Sequence, residues 1–193
     1  MRYDFSGVTP EMRTKLFPVI LVEHNPRWFD NYLIEKAFIE RILGKENIVR
    51  ISHYGSTAVP GLIAKPTIDI LLEIAASVDL AKFIDDMSDN ECVCVEQPND
   101  PPPHIVFYRG YTPEGFKGQA VHIHVRYSGD WDELYFRDYL LTHPETAAEY
   151  GALKQKLKND YEYDRDGYTA AKGEFIRGIT AEARRIFAGR HSR

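Results

Sequence analysis

His53-Tyr54-Gly55-Ser56-Thr57-Ala58-Val59-Pro60-Gly61-Leu62-Ile63-Ala64-Lys65-Pro66-Thr67-Ile68-Asp69-Ile70 is the stretch on which the reading of this chain turns. Residues 48–53 are apolar and β-branched enough to form a strand, and the strand ends on Gly55-Ser56. Glycine at such a point lets another group approach the backbone closely. Backbone N–H groups and the Ser56 hydroxyl in the following turn suit phosphate oxygens. Two prolines and Gly61 make 57–66 a stiff loop, which returns the chain to a second strand over 67–74. There Ile68, Ile70, Leu72 and Ile74 alternate with Asp69, Leu71 and Glu73. A carboxylate in so apolar a strand is either a solvated polar residue on an open face or an oxygen ligand for a cation. On spacing alone, a glycine turn followed by a half-exposed strand is the plainer alternative.

Working outward, Asn25-Pro26 reads as a helix start and Gly44 as its stop. Trp28, Tyr32, Ile39 and Ile42 form the apolar stripe between them. Residues 1–18 read as a polar arm with one short helix, and 19–22 as a short edge strand or lead-in. Downstream the expectations are a helix over 77–87, a strand over 92–96 and a proline-rich turn over 99–103. Two strands over 104–109 and 119–127 follow, joined as a hairpin by a long loop, and then helices over 131–142, 144–158 and 169–188. Helices collected at one end imply an α+β plan with a mixed sheet. The expected division is an arm (1–18), an α/β core (19–130) and a C-terminal helical region (131–193) forming one compact unit with the core. G-x-G-x-x-G after a strand, a Walker-type lysine loop and the G-x-S-x-G elbow are all absent, which removes the commonest dinucleotide, P-loop and serine-hydrolase readings.

Composition bounds the partners. Lys and Arg number 24 against 29 Asp and Glu, a formal charge of −5, so general nucleic-acid binding is not expected, while a small anionic substrate is. Cys92 and Cys94 lie two apart on one strand face, which suits no bridge and fits a reducing compartment. Apolar runs are short and the first residues show no signal-peptide pattern, so the expectation is a cytoplasmic protein without membrane contact; the sequence does not fix the oligomeric state.

The motif from His53 to Asp69 resembles the signature of the GrpB family. Asn25-Pro26-Arg27-Trp28 resembles that family's opening helix, and His122-Ile123-His124-Val125 a later strand. Phe136-Arg137-Asp138-Tyr139-Leu140, Tyr150 with Leu153-Lys154, and Tyr168 with Lys172 resemble its helical tail. The likeness spans about residues 20–185. It implies a nucleotidyltransferase-like mixed β-sheet with helices on one face and a C-terminal helical extension, in the polymerase-beta-like superfamily. That superfamily sets two metal-binding acids two positions apart on the second strand, with a third acid from a later strand. By resemblance, Gly55 and Ser56 contact a nucleoside triphosphate and Asp69 binds a divalent cation, Mg²⁺ first, with Mn²⁺ or Zn²⁺ as alternatives.

Position 71, where the second acid belongs, is Leu71. Glu73 stands two positions further on, about 6–7 Å along the strand, and is the substitute ligand to consider. His122, His124 and Arg126 alternate with Val121, Ile123, Val125 and Tyr127. Facing the same cleft, His122 is a candidate ligand and His124 a candidate proton-transfer group, against the alternative of a solvated polar face. Lys65 is a candidate phosphate ligand. Arg137 is either another or the partner of Asp138. Lys154 and Lys172 read as solvated.

Three functions follow as expectations. The first is a metal-dependent nucleotidyltransferase-like enzyme acting on a small-molecule acceptor. The second, prompted by Leu71, is a catalytically degenerate module binding a nucleotide or a coenzyme-A-like ligand. The third is a metal-dependent phosphohydrolase using Asp69, His122 and His124.

Overall fold

The computed structural model describes residues 2–192. They form two compact units that interleave along the chain: residues 2–8, 27–53 and 67–129 make a sheet unit, and residues 9–26, 54–66 and 130–192 a helical unit. The linear division into 1–18, 19–130 and 131–193 is thereby replaced. The turn at Gly55-Ser56 groups with the C-terminal helices, because Val59 and Leu62 beyond it lie in one apolar cluster with Leu140, Ala147 and Tyr150.

In the sheet unit the strands are β1 (Ile48–Tyr54), β2 (Thr67–Ile74), β3 (Val93–Glu96), β4 (Ile105–Thr112) and β5 (Gly115–Tyr127), in the order β1-β2-β5-β4-β3. β2 runs parallel to β5, while β4 is antiparallel to both β5 and β3. Among the helices, numbered from the short α1 (Pro10–Leu16) of the other unit, α2 (Arg27–Leu43) and α3 (Leu80–Asp89) belong here. Gly44, at φ 83°, stops α2, and the Asp79 side chain caps α3 by accepting from the Lys82 N–H.

Strand alternation decides which face the helices cover. Ile68, Ile70, Leu72 and Ile74 of β2 and Val121, Ile123 and Val125 of β5 are all buried, and the parallel register pairs Ile68 with Val121 and Ile70 with Ile123. On β4, Phe107 is paired with Ile123 and Arg109 with Val121, so they share that face. Phe107 meets Phe83 of α3 edge-on at 5.3 Å, and Arg109 bonds Glu35 of α2 at 2.5 Å. Both helices therefore pack on this side, where each fully buried aliphatic side chain contributes about 1.5–3 kcal/mol. The opposite face carries Asp69, Leu71 and Glu73 with His122, His124 and Arg126.

Glu73 is completely buried and ion-paired with Arg50 of β1. Its other oxygen accepts the Gly129 N–H at 2.9 Å, and Arg50 donates to the Gly129 carbonyl at 2.9 Å. One carboxylate thus ties β1, β2 and the chain beyond β5 together. Replacing Glu73 by Ala leaves a mostly sheltered guanidinium without its counter-charge and is expected to cost about 3–5 kcal/mol in urea unfolding. A loss below about 1 kcal/mol would show that the pair is not a structural tie.

The hairpin differs from expectation. β4 continues to Thr112 and β5 begins at Gly115, so the connection is tight rather than a long loop, with the Thr112 hydroxyl bonding the Gly115 carbonyl at 3.0 Å. The glycines that read as loop are instead accommodated within the strands: Gly110 and Gly118 take φ of 79° and 72° without ending them. At Gly110 the register between β4 and β5 shifts, a β-bulge.

The helical unit comprises α1, α4 (Asp132–Thr142), α5 (Pro144–Asp160), α6 (Arg165–Ala171) and α7 (Gly173–Ile186). The helix expected over 169–188 is therefore broken at Lys172, and α6 starts early because the Asp164 side chain caps it by accepting from the Gly167 N–H. Val22 bridges Ala64 in isolation, which is all that remains of the expected strand over 19–22. Among the described residues, no helix is long and apolar enough to cross a membrane.

Candidate functional site

The parallel pairing of β2 with β5 sets Asp69 opposite His122 and Leu71 opposite His124. Asp69 Oδ1 lies 3.3 Å from His122 Nδ1. Asp69, His122 and His124 each offer a ligand atom, and these atoms all lie within 4.8 Å of one another. All three side chains are partly exposed, so the group is open to a ligand.

The imidazoles are held from behind. His122 Nε2 shares a hydrogen bond of 2.7 Å with the Tyr111 hydroxyl, and its ring lies between Tyr111, stacked at 5.6 Å, and Tyr108, edge-on at 4.7 Å. Tyr108 and Tyr111 are an odd number of residues apart and would point to opposite faces of a regular strand. The bulge at Gly110 brings both to the His122 side. Gly110 is required there: its φ is 79°, and a Cβ would stand 2.2 Å from the Gln119 carbonyl oxygen.

His124 Nδ1 lies 3.7 Å from Asp100 Oδ2, and Arg126, itself buried, donates to the same oxygen at 3.1 Å. The His124 imidazole and, more weakly, Arg126 hold the Asp100 carboxyl below the usual carboxylate range, against the opposing effect of burial. Glu73, expected as a substitute ligand, is not brought to this group. Its register partner is Arg126, and its oxygens are committed to Arg50 and Gly129. His124, expected to act apart from the ligands, stands among them.

Phosphate candidates lie in the helical unit. Gly55 has φ 71° and ψ −175°, a conformation essentially reserved for glycine, and it opens a short 3₁₀ turn over Ser56–Ala58. Lys154, expected to be solvated, is buried and donates to the Ser56 hydroxyl at 3.0 Å and to the Ile63 carbonyl, with its ammonium 4.7 Å from the Tyr150 ring centre. Lys65 and Lys172 lie 5.4 and 4.4 Å from the Tyr168 ring centre, and Lys172 is buried as well. Both buried lysines follow a tyrosine by four residues, Lys154 within α5 and Lys172 at the C-cap of α6, a spacing that places the ammonium over the ring. That repeated Tyr-x-x-x-Lys pattern was the available signal.

Arg137 contacts Asp138 through Nε at 2.8 Å and through a terminal nitrogen at 2.6 Å, while Arg190 and His191 approach the other Asp138 oxygen at 3.2 and 3.0 Å. Of the two readings of Arg137, the structure displays the ion pair. Burial pushes the Asp138 carboxyl up, but Arg137, Arg190 and His191 together outweigh it, and the group sits below its ordinary value.

A family model described as "GrpB protein" matches residues 18–182. A relative, the glutamate-rich protein GrpB of Alkalihalophilus pseudofirmus, is 34% identical over 167 residues, covering 85% of this chain and 95% of that protein. The crystal structure of the conserved protein GrpB from Enterococcus faecalis superposes with a TM-score of 0.75 at 27% identity, over 87% of this chain and 99% of that one. A structure of the Cid1 poly(U) polymerase with Mg and 3′-dATP bound shares the fold at a TM-score of 0.50 and 8% identity, over 77% of this chain and 49% of that one. The expected nucleotidyltransferase-like architecture agrees with these likenesses.

Proposed function

The chain belongs to the GrpB family, and from that premise we propose that it is a metal-dependent, nucleotidyltransferase-like enzyme joining a nucleotide to a small-molecule acceptor. The observation that carries the reading is the partly exposed Asp69-His122-His124 group on the face of the β2–β5 pair opposite α2 and α3. The fold likeness to a polymerase holding Mg and 3′-dATP supports it by analogy.

The donor set fits one divalent cation. Leu71 stands where a second carboxylate would complete a pair, and it is buried. A bound cation would neutralise charge building up on the phosphate oxygens. Asp69 supplies the negative charge that holds it, and His122 and His124 complete the donor set. Within the helical unit taken by itself, the Gly55-Ser56 turn is the candidate for phosphate oxygens, with Lys154 at the Ser56 hydroxyl and Lys65 as a further candidate cation of that unit. The acceptor hydroxyl or amine forms a bond to the α-phosphorus, the bond to the departing pyrophosphate breaks, and the acceptor proton is released to solvent.

Calorimetry on the pure protein is expected to show nucleoside triphosphate binding only when a divalent cation is present, and pyrophosphate release from the right member of an acceptor panel. Equal binding with and without cation would overturn the proposal. Leu71 favours one second reading, a module that binds a nucleotide or a coenzyme-A-like ligand without turnover. Tight cation-dependent binding with no product from any acceptor, and product only after Leu71→Asp, would select it.

A further inference from the structure

We infer that Asp69, His122 and His124 form a two-histidine, one-carboxylate centre for a borderline transition-metal ion of the Zn²⁺ type, in preference to Mg²⁺, and that Asp100 and Tyr111 are its positioning residues. The inference deepens the proposed function by naming its cation, and it rests on that reading only for the cation's role in a reaction.

The chemistry of the donors comes first. Mg²⁺ favours an octahedron of oxygens and sheds its water reluctantly, and sites for it are built from carboxylates and phosphate oxygens. Imidazole nitrogen is the donor of choice for Zn²⁺, Co²⁺ and their neighbours. This group offers two imidazoles and one carboxylate. The carboxylate that an oxygen-rich site would add is replaced by Leu71, and Glu73 is locked to Arg50.

Geometry comes second. Four-coordinate zinc with bonds of about 2.0–2.1 Å places its ligand atoms about 3.4 Å apart. Asp69 Oδ1 and His122 Nδ1 are 3.3 Å apart, and the whole set lies within 4.8 Å, a range that small side-chain rotations close. Three protein ligands leave a fourth position for substrate, the pattern of a catalytic rather than a structural zinc site.

The surroundings come third. Histidine ligands characteristically engage a partner through the second ring nitrogen, which fixes the ring and its tautomer. His122 does so through Nε2 with Tyr111, which turns Nδ1 to Asp69. His124 has Nδ1 beside Asp100, a carboxylate anchored in turn by Arg126. A solvated polar face has no reason to fix the His122 ring between a tyrosine hydroxyl and a carboxylate with a second imidazole beside it.

The test uses untagged full-length protein stripped with a chelator and then titrated with Zn²⁺, Co²⁺ or Mg²⁺ alone. Zn²⁺ is expected to bind at least about a thousandfold more tightly than Mg²⁺. Co²⁺ should develop visible absorption of a nitrogen- and oxygen-ligated ion, which His122→Gln and His124→Gln each abolish while circular dichroism stays native. Asp100→Asn and Tyr111→Phe should retain the band but shift it, and weaken Zn²⁺ by about 10–100-fold. Should either histidine variant prove misfolded, Asp69→Asn supplies the same readout on the third ligand. Zn²⁺ affinity unchanged in the histidine variants, or Mg²⁺ bound as tightly as Zn²⁺, overturns the inference. Mg²⁺-dependent triphosphate binding without zinc preference sinks this inference alone, whereas tight Zn²⁺ binding with no triphosphate affinity sinks the proposed reaction alone.

Discussion

Asp69→Asn is expected to lower divalent-cation affinity by about 100-fold or more and to abolish the cation-dependent part of triphosphate binding. The substitution removes the only carboxylate of the ligand group while keeping its volume. An amide oxygen carries no net charge, so the cation loses its one anionic partner and keeps two neutral imidazoles. The fold should survive, because Asp69 is about a quarter exposed, at 26% of its side chain, and its neighbours Ile68 and Ile70 still face the helices. Thermal unfolding gives an independent check. An ion at a hundredfold excess over its Kd stabilises the native state by about 2.7 kcal/mol. That increment should be present in the parent protein and missing in the variant. Equal cation affinity in the two would remove Asp69 from the site.

Gly110→Ala is expected to cost about 2–4 kcal/mol of stability and to disturb the histidine cluster as well. Two effects act together. A residue with a Cβ is strained at φ 79°, by about 1–2 kcal/mol, and its methyl group would stand 2.2 Å from the Gln119 carbonyl oxygen, which is backbone and cannot swing aside. Gly118→Ala separates the two, since Gly118 has a similar φ of 72° but nothing within 4 Å of the added carbon. Urea unfolding should therefore show Gly118→Ala losing about 1–2 kcal/mol and Gly110→Ala clearly more. Equal losses would mean that conformational strain alone matters and that the bulge relaxes freely. In Gly110→Ala, Tyr111 should also shift relative to His122, visible as a changed imidazole resonance.

Much of the sheet was legible in the sequence because alternation is a local signal. Ile68, Ile70 and Ile74 announced a buried face, and β2 spans the expected residues 67–74. Alternation also placed His122 and His124 on one side of their strand. It could not show that this side is shared with Asp69, since that depends on the pairing of two strands about fifty residues apart. Glu73 was misjudged for the same reason: its partner, Arg50, comes from another strand, and no local pattern links them. Tyr111 was missed because a bulge breaks the alternation on which facing is read, and Asp100 because it lies in a proline-rich turn with no periodicity at all. The lysines show the reverse failure. Composition makes lysine a surface residue, yet the tyrosine four positions earlier offers an aromatic face that shelters Lys154 and Lys172.

The interleaving of the two units sets the order in which the chain can mature. Val59 and Leu62 leave the ribosome about eighty residues before Leu140 and Tyr150, the side chains they pack against. Until α4 and α5 have been synthesised, that greasy segment has no home, and a nascent chain halted near Gly129 would present it to chaperones or to other stalled copies. Neither unit can be cut out as one continuous fragment, so a shortened gene ending there should yield inclusion bodies.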